Sequence, residues 1–148
     1  MAIKALESKV LGKFVYDEEY EWYSTKYIDR EHIFEIRIFL EEPDEINEFE
    51  LNVLLYKIER LIENKYYDTA LHDIGETMTT LKNKEWLKDD EPEMLVDEFY
   101  KRVTIESIVF YDDVTSDIDC DDDDIFDGHF FVINTNENGT FEKFTIIR

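Results

Sequence analysis

Cysteine is almost missing from this chain: Cys120 is the only one in 148 residues, so no disulfide can close within it. That fits a reducing compartment, and a cytoplasmic location is expected. Glycine (4) and proline (2) are nearly as scarce, which excludes phosphate-cradling glycine loops and predicts long regular elements. No run approaches the ~20 apolar residues of a membrane span, and Glu7 falls where a signal peptide would need an apolar core. Basic residues are the remaining shortage. The 16 Lys+Arg against 38 Asp+Glu leave a net charge of −22. Such a surface repels nucleic acid and anionic membranes, which bind through neutralised phosphate, so neither is an expected partner.

What remains is rich in apolar and aromatic residues, 43% and 15% of the chain. That is enough to offset the ordering entropy of folding and to exclude a disordered acidic chain. The length fits a single domain over residues 1–148.

Apolar periodicity divides the chain in three. Residues 9–16, 20–27 and 32–40 read as strands, the last alternating Phe34, Ile36, Ile38 and Leu40 against Glu35, Arg37 and Phe39. Polar residues 17–19 and 28–31 supply the turns of a meander. From Pro43-Asp44 onward the spacing of Ile46, Phe49, Val53, Leu54, Ile58, Leu61 and Ile62 is helical, with Asp44 as the expected N-cap. Asn64-Lys65 breaks the pattern before a second helix through Tyr67, Ala70, Leu71, Ile74, Met78 and Leu81. Pro92 opens a shorter third helix, expected to bury Leu95 and Phe99. Strands return at 104–111, 130–134 and 140–147, the last two joined by an Asn138-Gly139 hairpin turn. The expected fold is α+β: an antiparallel sheet, an N-terminal meander plus C-terminal strands, with a helical hairpin and a short third helix packed on one face.

Between these strands, residues 112–127 carry nine aspartates: Asp112, Asp113, Asp117, Asp119, Asp121, Asp122, Asp123, Asp124 and Asp127. Clustered carboxylates are hard oxygen ligands, and Asp117, Asp119 and Asp121 have the first three spacings of a calcium loop. The register then fails, with Asp122 where glycine is required and Gly128 where a bidentate Glu is required. The segment is therefore expected to be an exposed loop that presents charge to a partner, without a dedicated metal or cofactor. His129 could pair with Asp124 or Asp127, yet no recognisable nucleophile accompanies it, so a structural role is expected. Cys120 sits among aspartates that disfavour its thiolate. No residue is assigned a catalytic role.

The motifs Phe99-Tyr100-Lys101-Arg102, Glu106-Ser107-Ile108 and Asp124-Ile125-Phe126-Asp127-Gly128-His129 occur together with Leu11-Gly12-Lys13-Phe14, Glu21-Trp22-Tyr23 and Glu85-Trp86-Leu87. They resemble a bacterial domain-of-unknown-function family whose members end in a Phe-rich strand, an acidic loop and an acidic–apolar–Phe–x–Gly–His signature. The long Asp run and Phe130 depart from that pattern. The resemblance implies an α+β fold and no established activity. By analogy it suggests the small bacterial domains that serve as immunity proteins beside secreted toxins. The function expected is a non-enzymatic acidic binding protein, an immunity-type inhibitor docking on a basic toxin or nucleic-acid-binding protein. The alternative is an enzyme or divalent-cation-dependent protein built around residues 112–129.

Overall fold

Alternation in the first third of the chain produces four strands, one more than expected. In a computed structural model that describes residues 3–30 and 32–147, these are β1 (Ala5–Ser8), β2 (Gly12–Asp17), β3 (Trp22–Ile28) and β4 (Ile33–Phe39). The expected strand at 9–16 is interrupted because the chain reverses before Gly12, whose φ of 100° suits glycine. Ser8 Oγ accepts the amides of Val10 and Leu11 and closes that turn. Glu31, in the expected β3–β4 turn, lies outside the described residues, as do Met1, Ala2 and Arg148.

The helices follow as α1 (Glu48–Glu63), α2 (Tyr66–Glu85) and α3 (Val96–Arg102). Asn47, not Asp44, caps α1: its side chain accepts the Glu50 amide while Glu50 reaches back to the Asn47 amide. This reciprocal pair satisfies two N-terminal donors that a lone Asp44 would leave open. Lys65 takes the left-handed conformation at φ 52° and turns the chain between α1 and α2. The third helix starts later than Pro92, and Leu95 is 68% exposed where burial was expected. Met94 is buried in its place, held by Asn83 through both its amide and its carbonyl. None of these helices is long and apolar enough to cross a membrane.

The last third forms β5 (Thr104–Tyr111), β6 (Ser116–Asp121), β7 (Phe130–Thr135) and β8 (Phe141–Ile147). All eight strands join one sheet in chain order, and every neighbouring pair is antiparallel except β4–β5. That parallel pair, absent from the sequence reading, follows from the long helical crossover, which returns the chain in the same direction. Buried side chains from the strands, such as Phe14, Tyr23, Ile36, Phe110, Ile118 and Phe131, share one core with Leu51, Ile58, Ile74 and Phe99 of the helices. The described helices leave the other sheet face uncovered, and Val15, Ile33 and Phe130 stand exposed on it.

Residues 112–127 are not a loop. Their central part is β6, an interior strand paired with β5 and β7. Ser116, Ile118 and Cys120 point into the core, while Asp117, Asp119 and Asp121 alternate onto the uncovered face. Asp is poorly represented in strands, which hid the assignment, but Ser-Asp-Ile-Asp-Cys-Asp has the period of two that burial on one face selects.

Candidate functional site

Because β6 is extended, the nine aspartates fall in three places. Asp112 and Asp113 lie in the β5–β6 turn, Asp117, Asp119 and Asp121 on β6, and Asp122, Asp123, Asp124 and Asp127 in the β6–β7 turn. At about 3.3 Å per strand residue the two turns are separated by roughly 20 Å.

The local chemistry differs at each place. Asp113 accepts the amide and the hydroxyl of Thr115, which holds its carboxyl below the usual range. Asp117 accepts from Tyr111 Oη at 2.7 Å and from Asn134 Nδ2 at 2.5 Å. Burial and that carboxylate push the Tyr111 phenol far up. Asp119 accepts from Ser107 Oγ at 2.7 Å; burial raises its carboxyl, against the lowering effect of this hydrogen bond. In the β6–β7 turn, Asp122 is only 3% exposed and accepts the amides of Asp124 and Phe126, a cap that folds the turn back on itself. Burial raises its carboxyl too. Asp123 pairs with Arg102 at 3.2 Å, and Lys88 Nζ stands 3.8 Å from Asp124 and 3.6 Å from Asp127.

Asp119, Asp121, Asp122 and Asp124 converge on a hollow of about 670 Å³ at the edge of the uncovered face. Glu35 of β4 and Glu106 of β5 complete it, and the sequence reading placed neither in the site: Glu35 stood only for strand alternation and Glu106 only for the family resemblance. Glu35 arrives through the parallel register that sets it beside Ser107, which no local pattern reveals. Glu106 lies at a β-bulge between Ile105 and Ser107, a device that re-aims side chains beside sites. Among the described residues lining the hollow, Arg37 is the one permanent cation. It is engaged by Glu35 at 3.1 and 3.2 Å and lies over the Trp22 ring at 4.5 Å, with Tyr20 stacked beyond. Asp112, Asp113, Asp117, Asp123 and Asp127 do not line the hollow.

His129 also lines this hollow, yet its Nδ1–H donates to the Phe126 carbonyl at 2.8 Å and its ring meets Trp86 edge-on. The imidazole thus ties the turn to the end of α2. Cys120 is buried, and its thiol is pushed far up by burial first and by the charges of Asp119 and Glu106 second. The neighbouring aspartates are the lesser cause. Among the described residues no three His, Cys, Asp or Glu side chains are grouped to hold a metal. Asp117, Asp119 and Asp121 share a face, but the outer two stand about 13 Å apart along the strand, too far for one ion to gather all three at 2.3–2.6 Å.

Fold and site define an α+β protein with one open sheet face and a carboxylate-lined hollow at its edge. The chain belongs to the bacterial family described as "Uncharacterized protein conserved in bacteria (DUF2262)", which it matches over residues 8–146. No curated protein and no solved structure matches it.

Proposed function

We propose that this is a non-enzymatic acidic binding protein, an immunity-type inhibitor that receives Lys or Arg side chains of a basic toxin or nucleic-acid-binding protein in the hollow on the uncovered sheet face. One observation carries the reading: six carboxylate residues, Glu35, Glu106, Asp119, Asp121, Asp122 and Asp124, line one hollow whose one permanent cation among the described residues, Arg37, is already engaged by Glu35. A basic cleft built for phosphate finds in this hollow a matching field, and the overall −22 charge speeds its approach. Asp112, Asp113, Asp117, Asp123 and Asp127 contribute to that field from outside the hollow. The test is co-expression with a basic toxin encoded beside the gene, then stopped-flow association of the purified pair. Rescue of growth is expected, with an association rate that falls about tenfold or more as salt rises through the physiological range. Changing Asp119, Asp121 and Asp124 together to Asn slows association. Unchanged toxicity, or a triple variant that associates as fast as the parent, overturns the proposal.

A further inference from the structure

A second surface lies at the other end of the sheet and does not rest on the reading above. The carboxyl ends of the parallel strands β4 and β5 run into Leu40 and Asp112, and α1 rises beside them. Between them is a groove of about 530 Å³ with a floor of Ile46, Phe49, Val53, Leu54 and Val114. Phe49 is 76% exposed, Val53 39% and Tyr56 59%. Their spacing of four and three residues makes one continuous stripe up α1, about 10 Å long at 1.5 Å per residue. Large apolar side chains scattered singly over a surface are ordinary, whereas a contiguous stripe beside a groove marks a contact surface.

The rim decides what chemistry fits. Glu41, Glu42, Glu45, Glu50 and Asp112 line it, against Lys57 as its one cation among the described residues. The neighbouring Glu45 carboxyl, with slight burial and the charges of Glu41 and Asp112, raises the Glu42 carboxyl. Carboxyls brought this close accept a cation readily, because it replaces a shared proton and relieves their repulsion. At the start of α1 the Asn47 and Glu50 amides are taken by their reciprocal cap, and the acidic rim repels an anion from that end. A second copy of this chain is disfavoured, because a two-fold contact would set the acidic rim against itself. An anionic membrane is repelled by the same charge.

We propose that this groove docks a basic amphipathic helix of a protein partner, whose apolar face covers Phe49, Val53 and Tyr56 while its Lys or Arg side chains meet Glu41, Glu42, Glu45 and Asp112. This is helix-in-groove recognition with the specificity set by charge. The probe is a fluorescein-labelled helical peptide of lysine and leucine at amphipathic spacing, compared with an equally charged lysine–glutamine peptide and a glutamate–leucine peptide. Anisotropy titrations should rank lysine–leucine tightest, by about fivefold or more over lysine–glutamine, with the acidic peptide unbound. The double change Phe49→Ser, Val53→Ser should weaken it about tenfold, and Glu42→Gln with Glu45→Gln about fivefold. These side chains are exposed and their loss should not lower the melting temperature. Should either variant fail to fold, amide shifts of the parent on adding the peptide decide instead, and perturbation confined to residues 40–57 and 112–114 is the expected result. Equal binding of the lysine–glutamine peptide, variants that bind like the parent, or shifts on the uncovered sheet face overturn the proposal. So does a concentration-dependent dimer in sedimentation that Phe49→Ser abolishes, since the occupant would then be a second copy.

Discussion

Asp122 is a carboxyl whose burial the surrounding amides justify. It accepts from Asp124 and Phe126, and without it two donors in the β6–β7 turn would lose their partner. Asp122→Ala should cost about 1–2 kcal/mol, while Asp122→Asn, which keeps one acceptor oxygen for two amides that use both carboxylate oxygens, should recover only part of that loss. Urea unfolding of the two variants measures this, and equal losses would deny the cap. Lys82 shows the reverse sign of charge in the same protein. It is buried, pairs with Glu91 at 2.9 Å, and donates to the Trp86 carbonyl, so one side chain joins α2 to the strap leading toward α3. Lys82→Met keeps the apolar stem and removes those partners, for an expected loss of about 1–3 kcal/mol. Glu91→Gln should lose less, because Gln keeps an acceptor oxygen for the buried Lys82 ammonium, which still donates to the Trp86 carbonyl.

At the level of elements, α2 and α3 touch through glycine. A methyl group on Gly75 would overlap the Tyr100 ring and its Oη, the hydroxyl that donates to the His72 carbonyl. Helix propensity alone favours alanine over glycine by about 1 kcal/mol, so the contact and the propensity oppose each other. Gly75→Ala should destabilise the parent, yet stabilise a Tyr100→Ala background by about 0.5–1 kcal/mol. A double-mutant cycle by thermal or urea unfolding reads the change of sign, and a loss in both backgrounds would mean that the clash is not the cause. The sheet carries a comparable lesson. Strand β4 was legible from Phe34, Ile36, Ile38 and Leu40, since burial on one face imposes alternation directly on the sequence. Strand β6 obeys the same rule with aspartate in every outward position, and its charge outweighed its periodicity in the reading.

The whole molecule is governed by its −22 charge. Mutual repulsion opposes the compact state, so the melting temperature should rise between about 20 and 300 mM NaCl, and divalent cations should act at lower concentration. Indifference to salt would mean that the charges are already compensated. Acid acts in the same direction at first. The carboxyls of Asp119, Asp122 and Glu42 stand higher in the folded chain than unfolded, so the folded state binds more protons there. Their effect opposes folding at neutral pH and is relieved as pH falls through their folded values. Asp113 and Glu91 are shifted down, and the stability they contribute is kept until pH falls below their unfolded values and through their depressed folded ones. At low salt the protein should therefore melt higher at about pH 5.5 than at about pH 7.5, with the gap shrinking in salt. A fall in melting temperature over that interval would contradict this balance.

The sequence by itself determined the strand–helix–strand order, the helical hairpin, the N-terminal meander and the excess of carboxylates. Each is written in neighbouring residues, through periods of two and of 3.6 or through simple count. Tertiary structure alone decided which carboxylates meet. The parallel β4–β5 register brings Glu35 to Ser107, and through it to Asp119, from more than seventy residues away. The bulge beside Glu106 turns that side chain toward the same hollow, and the extension of β6 carries Asp112 and Asp113 off to the opposite end of the sheet. Local periodicity reports only which side of a strand is buried. The neighbour across the sheet is chosen by the path of the crossover, and that path exists only once the helices have packed.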